Sequence, residues 1–407
     1  MANSTIRTAL TSKRAHGAVL GNAAVSIASM VLAVACARTM TATEFGTLAL
    51  ALVVYGFATG ITRAAFTDTA LAIPSDRSVF GRSIRRSALL ALVLALGIAT
   101  WGLIGGNPYL IVVAGTLHGM VLLDFVRTYE SAVGRIGIGL GISVSWSVIV
   151  VAIGLVSFVV PIEATWLLLT WAVAGAVSGY IAVITVRAPL MPGWERQPAE
   201  TTAAVLFTGD YLVGSGGGAL TTTLVGALVD NLIVGALRGA GTLLGPVNLV
   251  ASTARSLTIP LIARSGGDAV RVARIITLML VAVAVPLLVA VQFIPDDWGR
   301  WLLGETWAAV SLILVPIAVE SFFVLIGGVP AAGHRAMLAG GRTLVLRLSV
   351  GIPRPAIVLV CAMVGGALGV AWAMAGIAIV NALVWWTSYR QLGRRLKVDG
   401  MTGGIPG

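Results

Sequence analysis

The sequence predicts an all-α, polytopic membrane protein with about twelve transmembrane helices. Three observations carry that expectation. Of 407 residues, 58% are hydrophobic and only 11% charged, with a mean hydropathy of +0.98. Soluble domains carry about a quarter charged residues, so lipid rather than water must solvate most of this chain. Apolar runs of about 20 residues, the length needed to cross a bilayer, recur from one end to the other. Arginines collect in alternate loops between those runs, as they do in loops kept on one side of a membrane. No sizeable extramembrane domain fits in what is left.

Taken in order, the first six runs cover roughly 17–38, 45–63, 87–105, 109–128, 138–159 and 164–186. Arg7, Lys13 and Arg14 precede the first, in the manner of a signal peptide, but no polar mature domain follows, so it reads as a retained helix. The third and fourth runs are divided by the turn Gly105-Gly106-Asn107-Pro108. Six more runs cover roughly 203–228, 240–263, 272–294, 306–328, 343–363 and 366–388, the last two divided at Gly365-Gly366. Between the sets lies the polar stretch MPGWERQPAE, Met191–Glu200. The expected division is an N-terminal lobe over 1–190, a cytoplasmic linker over 191–202, and a C-terminal lobe over 203–407 ending in a short basic tail. Six spans on each side of the linker give the halves the same orientation, as in parallel repeats.

One face of the membrane receives the N-terminal cluster, then Arg77, Arg82, Arg85 and Arg86, then Arg127 and Arg135, Arg187 and Arg196, Arg264, Arg271 and Arg274, Arg335 and Arg342, and the tail from Arg390 to Lys397. The other receives Arg38, Arg238 and Arg300, together with Glu44, Glu163, Asp296, Asp297 and Glu305. The positive-inside rule places both termini in the cytoplasm. A net charge of +11 would point to nucleic acid in a soluble protein; here the cations sit in short loops, so no nucleic-acid partner is expected. Cys36 and Cys361 are far apart with no paired cysteine or histidine motif, so neither a disulfide framework nor a metal site is indicated. No catalytic constellation and no phosphate loop occurs, and no cofactor is expected.

Ala37-Arg38-Thr39-Met40-Thr41-Ala42-Thr43-Glu44-Phe45-Gly46-Thr47-Leu48-Ala49-Leu50 resembles the first helix-to-helix turn of bacterial polysaccharide flippases, which ends in an acidic residue, an aromatic and a glycine. Asp230-Asn231-Leu232-Ile233-Val234-Gly235, followed by Leu244-Gly245, resembles that family's connection between helices seven and eight, with Pro246 where the family usually has an aromatic. Leu302-Leu303-Gly304-Glu305-Thr306-Trp307 resembles the turn opening its tenth helix. The family is the O-antigen and exopolysaccharide flippases of the multidrug/oligosaccharidyl-lipid/polysaccharide exporter superfamily. The resemblance implies two six-helix lobes around a central cavity, alternating access, and a polyprenyl-pyrophosphate-linked oligosaccharide as cargo for cell-surface polysaccharide biosynthesis. Membrane lipids and other polysaccharide-assembly proteins are the partners it implies. A multidrug exporter of the same superfamily is the alternative, and a membrane glycan polymerase or ligase the enzymatic competitor. The latter resembles chains with a large external loop, whereas the longest one here runs about from Pro295 to Glu305.

Ionisable residues inside spans are costly in lipid and usually face a cavity or a partner. Arg255 shares a helical face with Asn248 and Ser252, at steps of four and three, and lies about 22 Å along its helix at about 1.5 Å per residue. It either grips a cargo pyrophosphate bidentately or pairs with a carboxylate such as Asp210. Tyr55, Thr59 and Arg63 form a stripe on the second span, and Asn22, Ser26 and Ser29 one on the first; each stripe serves either cargo or helix packing. Arg63 and Asn22 join Arg255, Asn248 and Ser252 as substrate candidates. Asp210, Asp230 and Glu320 are candidate coupling-ion sites, with structural pairing as the alternative for each. His118 and Asp124 are weaker entries on the fourth span. Gly214, Gly216, Gly217 and Gly218, in the middle of the seventh, are candidate hinge residues or a close-packing surface.

Overall fold

The computed structural model describes residues 13–72, 77–195, 197–263, 268–337 and 340–401, and these form helices joined by turns, with no strand among them. We label the helices α1 (Lys13–Thr39), α2 (Ala42–Ala72), α3 (Arg77–Ile104), α4 (Pro108–Ala132), α5 (Ile136–Val156), α6 (Ala164–Thr185), α7 (Pro198–Val213), α8 (Ser215–Leu228), α9 (Asn231–Leu243), α10 (Gly245–Ala263), α11 (Ala269–Gln292), α12 (Asp296–Leu303), α13 (Trp307–Ala336), α14 (Gly340–Gly351) and α15 (Arg354–Met401).

Among the described residues nine helices are long and apolar enough to cross a membrane, or ten if Asn231–Leu243 and Gly245–Ala251 form one bent span. Local breaks account for the difference from the twelve apolar runs. The seventh run is divided at Gly214, whose φ of −88° and ψ of −106° interrupt the helix between α7 and α8. The last two runs fall within the single 54-residue stretch Gly341–Arg394. That stretch would be about 80 Å long at 1.5 Å per residue, more than twice a hydrocarbon core, and Gly366, at φ 55°, turns the chain inside it. The other Gly-rich division is also a turn. Gly106 takes a left-handed φ of 62°, the Asn107 side chain accepts the Tyr109 and Leu110 N–H groups, and Pro108 opens α4. Several helices outrun their apolar stretches: α3 begins at Arg77, ten residues before its run, because its first turns are basic rather than non-helical, while α2 continues to Ala72 and α13 to Ala336.

The described residues cluster into two compact units, one from Lys13–Thr242 with Asp296–Val310, the other from Leu243–Pro295 with residues 311–401. In the first, α4 is the central helix, packed against α2, α3, α5 and α6, while α1 lies along α5. The α4–α6 crossing depends on small residues. A Cβ on Gly179 would stand 1.9 Å from the Gly119 carbonyl oxygen, and one on Gly119 2.6 Å from the Ala176 Cα, the close approach that drives helix association where lipid removes the hydrophobic incentive. In the second unit, α10 packs on α11, α11 on α15 and α14 on α15. Tyr389 is fully buried there and donates its hydroxyl to the Ala269 carbonyl at 3.1 Å. Large apolar side chains point outward in both, among them Leu96 (71% exposed) and Val364 (86% exposed). In water these would be an aggregation surface; in a bilayer they are the solvated one.

The stretches 37–50, 230–235 and 302–307, which carry most of the family resemblance, meet in the first unit. Thr41 caps α2 reciprocally: its hydroxyl accepts the Glu44 N–H at 3.3 Å, and Glu44 Oε2 accepts the Thr41 N–H at 3.0 Å. Gly46, one turn on, lies against the Asn231 backbone, where a Cβ would be 2.0 Å from the carbonyl oxygen, and Gly235 abuts Gly46 Cα. Gly304, at φ 56°, lies under the Ala37 carbonyl. The Trp307 indole covers Gly299 and donates to Asp296 Oδ1 at 2.9 Å. What these motifs encode locally is therefore close packing of helix ends.

Candidate functional site

The charged group that α2 and α4 bring together is Arg63, Asp124 and Arg127. Regular i to i−4 pairing in α2 lapses over Arg63–Thr67, which form a π-turn, a feature that inserts one residue and re-aims the side chains around it. Just before it, Thr59 and Thr62 return their hydroxyls to the Tyr55 and Ala58 carbonyls at 3.0 and 3.2 Å, back-bonding that bends helices. Arg63 then reaches Asp124 with two donors, Nε to Oδ2 at 2.8 Å and Nη2 to Oδ1. Arg127, one turn along α4, donates Nη2 to the same Oδ1 at 2.7 Å. Two guanidiniums therefore share one carboxylate, leaving the trio with a charge of +1; Asp68 follows Arg63 by five residues on α2.

Burial divides the trio. The Asp124 and Arg127 side chains are 12% and 16% exposed, whereas Arg63 is 43% exposed. Arg63 is thus anchored on one edge and open on the other, an arrangement in which a second anion can be gripped without disturbing the first pair. The apolar end of the same stripe is structural. Thr59 is buried, and the Tyr55 ring meets Trp171 edge-on with centroids 5.0 Å apart. Nearby, a Cβ on Gly60 would collide with the Tyr211 ring, whose hydroxyl faces the Phe57 carbonyl at 3.4 Å, so α7 closes over the end of α2.

The other candidates are dispersed. Asn22 is exposed on α1 and Asn248 on α10. The side chains of Ser252 and Arg255 lie outside the described residues. Asp210 is half-buried on α7 and engaged in an interaction of its own. Asp230 accepts the Leu232 N–H at 2.8 Å, so it caps α9. Glu320 on α13 is 15% exposed, with Arg354 Nη2 at 3.9 Å, a loose pair. His118 shares a 3.0 Å hydrogen bond with the Tyr180 hydroxyl. Around the glycine run, a Cβ on Gly216 would meet the Tyr211 ring and one on Gly217 the Leu212 carbonyl, while Gly218 continues α8.

Sequence reasoning undervalued Asp124. It ranks as a weaker entry on the fourth span because its telling partner, Arg63, lies 61 residues away. A similar group was hidden at the basic end. Glu200 accepts from Arg82 (Nη2, 2.7 Å) and Arg86 (Nη1, 2.7 Å), and Glu195 accepts from Arg85 at 2.7 Å, so the polar stretch 191–200 is strapped to the start of α3.

No family model and no curated protein matches the chain. Solved structures do. The lipid II flippase MurJ in an inward closed conformation superposes with a TM-score of 0.72 at 11% identity, covering 96% of this chain and 94% of that one. A point mutant of the Vibrio cholerae MATE transporter VcmN gives 0.63 at 12% identity over 97% and 98%. An inward-facing multidrug resistance MATE family transporter of the MOP superfamily gives 0.60 at 14% identity over 93% and 95%. Over nearly its whole length, the chain has the fold of these exporters.

Proposed function

We propose that the protein is a transporter of the MOP type that flips a polyprenyl-pyrophosphate-linked oligosaccharide from the cytoplasmic to the external leaflet by alternating access. The observation that carries the reading is Arg63, held by buried Asp124 yet 43% exposed. Guanidinium is permanently charged and matches phosphate oxygens bidentately, which suits an anionic lipid pyrophosphate and not a cationic drug. The fold likeness to a lipid II flippase supports the same direction. In this reading Arg63 is a cargo contact and Arg127 its electrostatic support. Arg255, with Asn248 and Ser252, and Asn22 remain proposed contacts of the same cargo. The break at Gly214, with Gly216, Gly217 and Gly218, is proposed as a hinge, and Glu320, Asp210 and Asp230 as the acids from which a coupling ion would be held. Both termini face the cytoplasm.

The experiment is complementation of a deletion strain, scored beside membrane-fraction abundance. Arg63→Ala should abolish polysaccharide export at normal abundance, and Arg63→Lys should retain part of it, since a point charge also attracts phosphate. Full export by a normally abundant Arg63→Ala protein overturns the assignment. If the deletion instead sensitises cells to cationic drugs and leaves surface polysaccharide intact, the cargo is a drug.

A further inference from the structure

Helix α3 carries a stripe at steps of seven, four, three and four: Leu103 (70% exposed), Leu96 (71%), Leu92 (43%), Leu89 and Arg85. From Leu103 to Arg85 the stripe runs about 27 Å at about 1.5 Å per residue, close to the thickness of a hydrocarbon core, and it ends on an arginine at the basic end. Arg85 is 37% exposed, and its pair with Glu195, 52% exposed, is open to exchange with another anion. Behind it, Arg82 and Arg86 are tied to Glu200 and hold the strap in place. The Gly193 N–H donates to the Arg85 carbonyl at 3.2 Å, and Trp194 meets Phe66 edge-on with centroids 6.2 Å apart. The strap nevertheless leaves Met191 (78% exposed), Trp194 (58%) and Leu190 (42%) outside, two apolar side chains beside a tryptophan, the residue that favours a membrane interface.

A second observation concerns Arg187, at the end of α6. Its φ of 54° is left-handed, and Ala188 N–H returns to the Val183 carbonyl at 3.0 Å, closing a helix-terminating turn that normally uses glycine. An exposed arginine stands where its backbone is strained and glycine would be easier, which makes its charge a candidate for function. Its neighbours Val186 and Ala188 pack on the cluster that α3 joins through Phe80, Ile84 and Ala88, and six residues further on Gly193 bonds the Arg85 carbonyl, so Arg187 opens the segment that is strapped to the basic end of α3.

We propose that the strapped basic end of α3 binds the headgroup of an anionic phospholipid from the leaflet at that end. Arg85 takes the phosphate in exchange for Glu195, the built-in competitor, Arg187 adds its charge to the attraction at the same end, and Trp194 sits in the headgroup boundary. The inference is independent of the cargo. It is tested by native mass spectrometry of the purified full-length chain in detergent, with phosphatidylglycerol offered against phosphatidylcholine. Wild type should retain phosphatidylglycerol preferentially, and Arg187→Gly should lower retention roughly fivefold, the weight of one basic residue near an anionic surface. Because glycine suits the left-handed turn, that variant should keep or raise its Tm, which separates lost binding from misfolding. Glu195→Gln should increase retention, and Arg300→Gln, on α12, should leave it unchanged. Equal retention of the two lipids by wild type, wild-type retention by Arg187→Gly, or displacement of the lipid by inorganic phosphate would each overturn the proposal.

Discussion

Replacing Asp124 with asparagine keeps the side chain's shape and removes the charge that two guanidiniums share. Breaking one partner out of a buried ion pair costs about 3–5 kcal/mol, because the other charge is left stranded. Arg63, 43% exposed, can recover solvent, and its share falls to the ~1 kcal/mol or less of a surface pair. Arg127, 16% exposed, recovers little. The expected loss is therefore about 3 kcal/mol, at the low end of the buried range. Arg63→Ala should behave differently. It leaves Asp124 still bonded to Arg127 at 2.7 Å, so its loss should stay near 1 kcal/mol while export disappears. Unfolding free energies of the purified variants in micelles, together with abundance in membranes, measure both effects. Equal destabilisation by the two substitutions, or none from Asp124→Asn, would refute the claim that Asp124 is the structural anchor and Arg63 the open contact.

Gly46→Ala forces a Cβ to within 2.0 Å of the Asn231 carbonyl and should destabilise by about 1–3 kcal/mol through overpacking, read as a lower Tm and reduced abundance. Gly56→Ala on the same helix meets nothing within 4 Å and should instead gain up to about 1 kcal/mol of helix propensity. Glu320→Gln loosens only a 3.9 Å pair with Arg354, so abundance should hold; if Glu320 holds the coupling ion, ion-driven uptake into inverted vesicles should vanish, and unchanged uptake would leave it structural.

Much of the fold was legible because lipid solvation writes itself into one dimension. Twenty-residue apolar runs and alternating arginines mark the spans without any knowledge of packing, and glycines at 105–106 and 365–366 mark turns because left-handed backbone favours them. The site was less legible. Arg63 and Asp124 are 61 residues apart, and Arg82 and Glu200 118 apart. Nothing local marks either pair. Tyr55 and Thr59 share a stripe with Arg63 yet pack inward, because periodicity identifies a face and not what that face meets. The stretch 191–200 reads as a linker from its polarity alone, whereas Glu200 is 5% exposed between two arginines.

The central claim, outward flipping of a lipid-linked oligosaccharide, is tested most directly by the leaflet distribution of that lipid in cells lacking the protein. Complete lipid-linked units should accumulate on the cytoplasmic leaflet and remain inaccessible from outside, and the wild-type gene should restore their export. Single units appearing on the external leaflet of the deletion strain would contradict the account.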